Sequence, residues 1–274
     1  MPTRSPWQIR GDLHVHAQHT ICDSHKSGDP VEYGQTCGVG AIEEMRSYLS
    51  KREYEYLAIV NHATNPLAPE PPTASSEKLV REHKDIIERV RNEAGPTGPV
   101  LLAGVEASLL ASGDVDVTKE TLCSLSVVIA SRHGNSTEWR MDETLRRLQH
   151  LFVHCPVNIL GHPTRYVVPA TLPQYRQLLQ LCTEFEIAFE LNLRNPFGAE
   201  LITSIVRSGV LISLGSDIHG NMIREQTIAS GSLSSIPVIR QLQQQRFPAS
   251  RVINTWPLER LLRWLEERRI MCHT

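Results

Sequence analysis

The chain has 274 residues, of which 41% are hydrophobic and 21% are charged, with a formal net charge of -2 at pH 7. This composition is typical of a soluble globular protein, and its charge excludes a general attraction to polyanions, so any nucleic-acid contact must come from a local basic patch. No apolar run is long enough to span a bilayer, and the N-terminus lacks the apolar segment of a signal peptide.

Six cysteines are scattered without a Cys-x-x-Cys pair in a chain long enough to build a core without crosslinks. We therefore expect free thiols in a reducing cytosol, and a cytoplasmic protein with no membrane partner. The length suits one large domain over residues 1–274. The oligomeric state stays open.

Short apolar runs alternate with helical patterns along the whole chain, which predicts an α/β fold with a parallel sheet wrapped by helices. Seven runs have the composition of buried strands: Ile9–His16, Tyr56–Asn61, Val100–Glu106, Leu125–Arg132, Val157–Leu160, Ile187–Asn192 and Val210–Gly215. The helical candidates are Ile42–Lys51, Ser76–Glu93, Asp142–Phe152, Pro173–Phe185, Ala199–Arg207 and Pro257–Arg269. Ser75 and Ser76 offer an N-cap for the second of these helices.

Two connections are long, Thr20–Val39 and Ala63–Ser75. Each follows a strand that ends in histidine, so both are expected to overhang the same face of the sheet. Long loops in compact domains are often functional, but an insertion without function fits the sequence equally well.

The first strand carries two histidines within Gly11-Asp12-Leu13-His14-Val15-His16. Because an extended strand repeats every two residues, His14 and His16 should share one face, with Leu13 and Val15 on the other. An isolated pair of this kind also fits an edge strand with solvated histidines, so the rest of the chain must decide.

Metal-binding residue types recur at the ends of five further strands: His62, Glu106, His133, His162, and Asp217 with His219. Strand six offers Glu190 and Asn192 instead. Barrel enzymes place their chemistry at this end of the strands, and a barrel rim can collect ligands from distant sequence positions. The pattern predicts a metal centre.

In this order, the motifs resemble the PHP family, named for polymerase and histidinol phosphatase. The matching segments are Asp12-Leu13-His14-Val15-His16, Val60-Asn61-His62, Gly104-Val105-Glu106, His133, Gly161-His162-Pro163 and Gly215-Ser216-Asp217-Ile218-His219. The chain is most similar to the C-terminal PHP domain of bacterial family X DNA polymerases, here expected to stand alone. That similarity lies in Arg10-Gly11-Asp12-Leu13, Tyr54-Glu55-Tyr56-Leu57-Ala58, Ile159-Leu160-Gly161-His162-Pro163-Thr164 and Asn254-Thr255-Trp256-Pro257-Leu258.

The resemblance implies a distorted seven-stranded (β/α) TIM-like barrel that holds two or three divalent ions, Zn, Mn or Fe. It assigns His14, His16, Glu106 and Asp217 to one ion, Glu106, His133 and His162 to a second, and His62 and His219 to a third. The ninth ligand is open because the spacing after His16 departs from the family pattern, with Asp23 the first choice, His25 the second and His19 the third. Asn61 replaces the aspartate usual in the family, which leaves the support of His62 open.

The resemblance also implies hydrolysis of a phosphoester substrate by a metal-bound hydroxide, with Asp217 or His219 as the proton carrier. Among Arg132, Arg165, Arg194 and Arg224, Arg165 is the first choice for binding a substrate phosphate.

The polymerase-type motifs favour processing of DNA 3′ ends, as a 3′-5′ exonuclease or a 3′-phosphatase. A small-molecule phosphomonoesterase of histidinol-phosphatase type and a non-catalytic PHP scaffold remain alternatives. Amidohydrolases also begin with His-x-His, but they usually need a lysine after strand four, and Leu125–His133 contains none.

Overall fold

The computed structural model describes residues 5–17, 42, 46, 54–66, 68–93, 98–133, 140–165, 171–192, 197–218 and 237–270. Seven parallel strands form one sheet in chain order, which confirms the predicted strands and the α/β barrel class. They are β1 (Gly11–Val15), β2 (Tyr56–Ile59), β3 (Val100–Ser108), β4 (Val127–Ser131), β5 (Ile159–Gly161), β6 (Ala188–Asn192) and β7 (Ile212–Gly215).

The helices of the described residues are α1 (Ala74–Glu93), α2 (Lys119–Cys123), α3 (Met141–His154), α4 (Leu172–Glu184), α5 (Ala199–Ser208), α6 (Pro237–Gln244) and α7 (Leu258–Ile270). Short 3-10 turns cover Pro163–Arg165, Ala249–Arg251 and Ile253–Thr255. Five predicted helices are confirmed, while the predicted helix Ile42–Lys51 lies almost entirely outside the described residues. The sequence patterns did not predict α2 and α6. None of the described helices is both long and apolar enough to cross a membrane.

The N-cap predicted for α1 was wrong. The helix begins at Ala74, and the Thr73 hydroxyl accepts a hydrogen bond from the backbone N of Ser76 at 3.1 Å. A threonine directly before the first turn satisfies an amide that has no partner inside the helix, so the cap lies two residues earlier than Ser75.

The strand β1 departs from simple alternation. Its register against β2 shifts between Asp12 and Val15. As a result Leu13 packs in the apolar cluster inside the barrel, whereas Val15 packs in the outer cluster against the helices. The prediction that Leu13 and Val15 share a face was therefore wrong, because a bulge-like irregularity interrupts the period of two.

The barrel closes where β7 meets β1. Backbone hydrogen bonds run from His16 N to Ile218 O at 2.8 Å and from Asp217 N to His14 O at 2.9 Å. Lower in the seam, the buried Asn254 side chain accepts from Leu214 N at 2.7 Å and donates to Gly11 O at 3.0 Å. It also donates to Leu214 O at 2.9 Å. One amide side chain thus joins the two strands where direct pairing is incomplete.

The lower half of the barrel interior is apolar and is closed by the C-terminal helix. Tyr56 and Ile129 pack there with Leu261, Trp264 and Leu265 of α7. The upper half is lined by buried polar side chains at the carboxyl ends of the strands. Because the lower end is filled, the upper end is where a ligand can enter.

Candidate metal centre

Glu106, on β3, is the centre of a ring of histidines. It is fully buried, and neither carboxylate oxygen meets a donor in hydrogen-bonding geometry within the described part of the chain. Five imidazole nitrogens nevertheless lie within 3.3 Å of these oxygens: Nε2 of His14, His16 and His133 and Nδ1 of His62 at 3.3 Å, and Nε2 of His162 at 2.9 Å.

Asp217 adds a second carboxylate to the ring. Its Oδ1 lies 3.4 Å from Nε2 of His16, and its Oδ2 lies 3.8 Å from Nε2 of His162. The seven side chains form three overlapping groups with ligand atoms close enough to hold an ion: His14, His16 and Glu106; His62, Glu106 and His133; and His14, His162 and Asp217.

Two of these residues have an unusual backbone. His162 and Asp217 adopt positive φ angles of 46° and 51°, in the left-handed region that residues with a side chain rarely occupy. Such conformations cost on the order of 1–3 kcal/mol each and persist only where neighbouring contacts fix them. For Asp217 that contact is its backbone N, which donates to His14 O at 2.9 Å.

Outer hydrogen bonds fix two of the imidazole rings. His14 Nδ1 lies 2.5 Å from Glu190 Oε1, and His133 Nδ1 lies 3.0 Å from Ser108 Oγ. Ser108 is in turn held by Asp116, whose Oδ1 accepts from Ser108 N at 2.7 Å. Each contact occupies one ring nitrogen and directs the other toward Glu106.

The charges of the centre are strongly coupled. Burial alone would raise the pKa of Glu106, but the imidazoles of His14, His133 and His62 lower it well below its usual range. Burial likewise opposes the charged form of His14, but the Glu190 and Glu106 carboxylates raise its pKa well above its usual value. The centre therefore holds ionised carboxylates in a buried place, an arrangement that favours bound cations.

The residues present fit divalent metal ions. A buried carboxylate without a hydrogen-bond donor, surrounded by five imidazole nitrogens from four strand ends, has the donor set that Zn, Mn or Fe takes in proteins. Buried polar groups normally have a hydrogen-bond partner, and the two Glu106 oxygens have none among the described residues. Bound cations would account for their burial.

The structure brings together seven of the nine predicted ligands, and their roles as ligands stay predictions. His219 and Asp23 lie outside the described residues, as do the alternatives His25 and His19. The same holds for Arg194, Arg224 and the side chain of Arg165, whose backbone belongs to the 3-10 turn after His162. Arg132 is buried beside His133.

The distances between side chains indicate which ligands could share an ion. His62 lies with Glu106 and His133, while His162 reaches both Glu106 and Asp217. The sequence reasoning noted Glu190 without a role and missed Ser108 and Asp116. For Glu190 a signal existed, since it alternates with Asn192 on one strand face; Asp116 lies in a loop without such a pattern.

Comparison with known proteins finds similarity both in sequence and in structure, and no family model matches the chain. The DNA polymerase/3′-5′ exonuclease PolX of Bacillus subtilis (strain 168) is 28% identical over 225 residues, which cover 77% of this chain. The chain spans about a third of that relative, since the match covers 34% of its length.

One similar solved structure is that of a histidinol phosphate phosphatase from Lactococcus lactis subsp. lactis Il1403, crystallised with zinc, L-histidinol and phosphate. It superposes with a TM-score of 0.56 at 16% identity, over 87% of this chain and 94% of that chain. At this identity the likeness shows a shared fold, in agreement with the seven-stranded barrel.

Proposed function

We propose that this chain, which groups with the PHP phosphoesterases by sequence relationship and by fold, hydrolyses phosphoester bonds at the 3′ ends of DNA. The observation that carries the hydrolytic assignment is Glu106, whose buried carboxylate has five imidazole nitrogens within 3.3 Å and no hydrogen-bond donor among the described residues. A metal-depleted scaffold should lack several of these side chains, so their presence favours an enzyme.

The ions would be held by the three overlapping groups around Glu106 and Asp217, with Glu106 shared between two of them. When bound, clustered divalent ions lower the pKa of water and offset negative charge on a phosphoryl group. Two or three ions of Zn, Mn or Fe suit the donor set.

The side chains of the centre exclude water, accept a proton and bind the substrate phosphate. Glu106 and His14 are fully buried and hold the base of the centre away from bulk water, whereas the Asp217 side chain keeps 5% exposure at its edge. We assign the Asp217 carboxylate to accept the proton from the attacking water, with His219 as the further proton carrier and Arg165 as the contact to the substrate phosphate.

The DNA-end substrate is supported by the sequence relationship to a polymerase with 3′-5′ exonuclease in its name. The alternative is a small-molecule phosphomonoesterase of histidinol-phosphatase type. It is favoured by the fold match to a phosphatase crystallised with L-histidinol and phosphate.

The test compares both substrate classes on one preparation. Protein reconstituted with Mn²⁺ or Zn²⁺ is incubated with 5′-labelled oligonucleotides that end in a 3′-phosphate or a 3′-hydroxyl, with histidinol phosphate, and with sugar phosphates. We expect release of phosphate or nucleotides from the 3′ end, and no release by an Asp217→Asn control. Hydrolysis of histidinol phosphate with oligonucleotides untouched establishes the alternative, and no hydrolysis of any substrate with either metal rejects both.

A further inference from the structure

The Glu190 carboxylate lies behind the ring of histidines and contacts two of them with its two oxygens. Oε1 lies 2.5 Å from His14 Nδ1, and Oε2 accepts the backbone N–H of His162 at 3.0 Å. Asn192 Nδ2 lies 3.3 Å from the same Oε2 and 3.2 Å from His162 Nδ1. Glu190 is fully buried on β6, so solvent does not compete for these contacts.

The neighbouring strand leaves a space that this carboxylate fills. A Cβ added to Gly215 on β7 would lie 2.1 Å from Glu190 Oε1 and 3.0 Å from the His14 Cβ. Any residue other than glycine at this position would therefore displace Glu190 or His14. The absence of a side chain at Gly215 lets one carboxylate reach both β1 and β5 from β6.

Both contacted residues belong to the group His14, His162 and Asp217, and His14 also belongs to the group with His16 and Glu106. The bond to Nδ1 leaves Nε2 of His14 facing the centre, and the bond to the backbone N of His162 holds a residue with a φ angle of 46°. Because that left-handed backbone is intrinsically unfavourable, its conformation depends on such a contact.

The second group, which is His62, Glu106 and His133, has a separate support. Its His133 ring is oriented by Ser108, and Ser108 is held by Asp116, which also accepts the hydroxyl of Thr64. Within the described part of the chain, the Glu190 carboxylate contacts His14, His162 and Asn192 instead.

We propose that Glu190 is a positioning residue that fixes the His14 ring and the His162 backbone, and thereby supports metal binding by the His14, His162 and Asp217 group in particular. Ser108 has the corresponding role for the group containing His133. This inference rests on the proposed metal-dependent function. Loss of an outer hydrogen bond of this kind typically weakens metal affinity about 10–100-fold.

The experiment measures Zn²⁺ dissociation constants by chelator competition in a double-mutant cycle. Glu190→Gln should weaken binding by the groups that contain His14 about 10–100-fold and leave the His62, Glu106 and His133 group near its wild-type affinity. The effect should add to that of Ser108→Ala, which acts on the group containing His133. For the His14, His162 and Asp217 group, it should largely disappear in an Asp217→Asn background. Equal weakening of every ion, or full additivity with Asp217→Asn, overturns the proposal.

A second readout uses the wild-type ring itself and does not depend on bound metal. In metal-free protein with ¹⁵N-labelled histidine rings, His14 should carry a hydrogen-bonded Nδ1 proton that exchanges slowly with solvent, identified by its loss in His14→Gln. A fast-exchanging or absent Nδ1 proton overturns the proposal. If the wild type binds no Zn²⁺ while this proton is present, the proposed function fails but the orienting contact stands.

Discussion

The seam between β1 and β7 should depend on a single side chain, and Asn254→Ala tests this. The Asn254 side chain makes three hydrogen bonds, to Leu214 N, Leu214 O and Gly11 O. Truncation to alanine leaves these three buried backbone groups without the side chain that now pairs with them. The same seam carries the Asp217 N to His14 O bond, so loosening it should also disturb the metal centre.

The expected loss follows from the unpaired groups. A buried polar group left without a partner costs about 1–3 kcal/mol, and the three groups share one site, so the free energy of unfolding should fall by about 3–5 kcal/mol. At roughly 2–4 °C per kcal/mol for a domain of this size, the Tm should fall by about 10 °C. Asn92→Ala, at an exposed position near the end of α1, serves as the control and should shift the Tm by no more than about 2 °C.

Asn254→Asp adds a dependence on pH with a definite sign. Its carboxylate would face two carbonyl oxygens in a buried place, so its pKa in the folded state should be raised above the unfolded value. Stability then declines as pH rises from the unfolded pKa through the folded one. Thermal unfolding by circular dichroism at pH 5 and pH 8 measures this: the Tm deficit against wild type should be larger at pH 8. A deficit independent of pH, or an Asn254→Ala shift no larger than that of Asn92→Ala, refutes the reasoning.

Four further outcomes are expected. Asp217→Asn should keep the wild-type circular dichroism spectrum and lose about 10²–10⁴-fold in turnover if its carboxylate takes a proton, so wild-type turnover would contradict this role. Glu106→Ala should lower the metal content, measured by elemental analysis, by more than one equivalent, whereas an unchanged content would contradict a shared ligand. Deleting residues 68–72, which spares the Thr73 cap of α1, should raise KM while metal content is retained; unchanged kinetics on every substrate would contradict a covering loop. Arg165→Ala should reduce the salt dependence of DNA-end turnover with little effect on a small phosphomonoester, and an equal loss on both substrates would contradict a DNA contact.

The strands could be predicted from sequence because each is a short, mainly apolar run, and most are followed closely by a histidine or a carboxylate. Parallel strands buried on both faces read as such runs, and their ends mark the upper edge of the barrel. His62, Glu106 and His162 were identified for this reason, although nearly a hundred residues separate the first from the last.

Contacts that join distant segments could not be predicted in this way. Asn254 was recognised as part of a motif, but its bonds to Gly11 and Leu214 across the seam depend on how the barrel closes. The partners of Glu190 on β1 and β5 likewise follow from the three-dimensional packing beside Gly215. Local irregularities could not be predicted from the alternation of residue types either. The register shift in β1, which places Leu13 and Val15 on different faces of the sheet, is an example.

Anomalous diffraction from crystals grown with Zn²⁺ or Mn²⁺ tests the central claim most directly, because it locates each ion relative to named side chains. The account predicts at least two anomalous peaks at about 2.0–2.3 Å from ligand atoms of the ring, with the Glu106 carboxylate touching two of them. No peak in the ring, or peaks that do not contact Glu106, would contradict it.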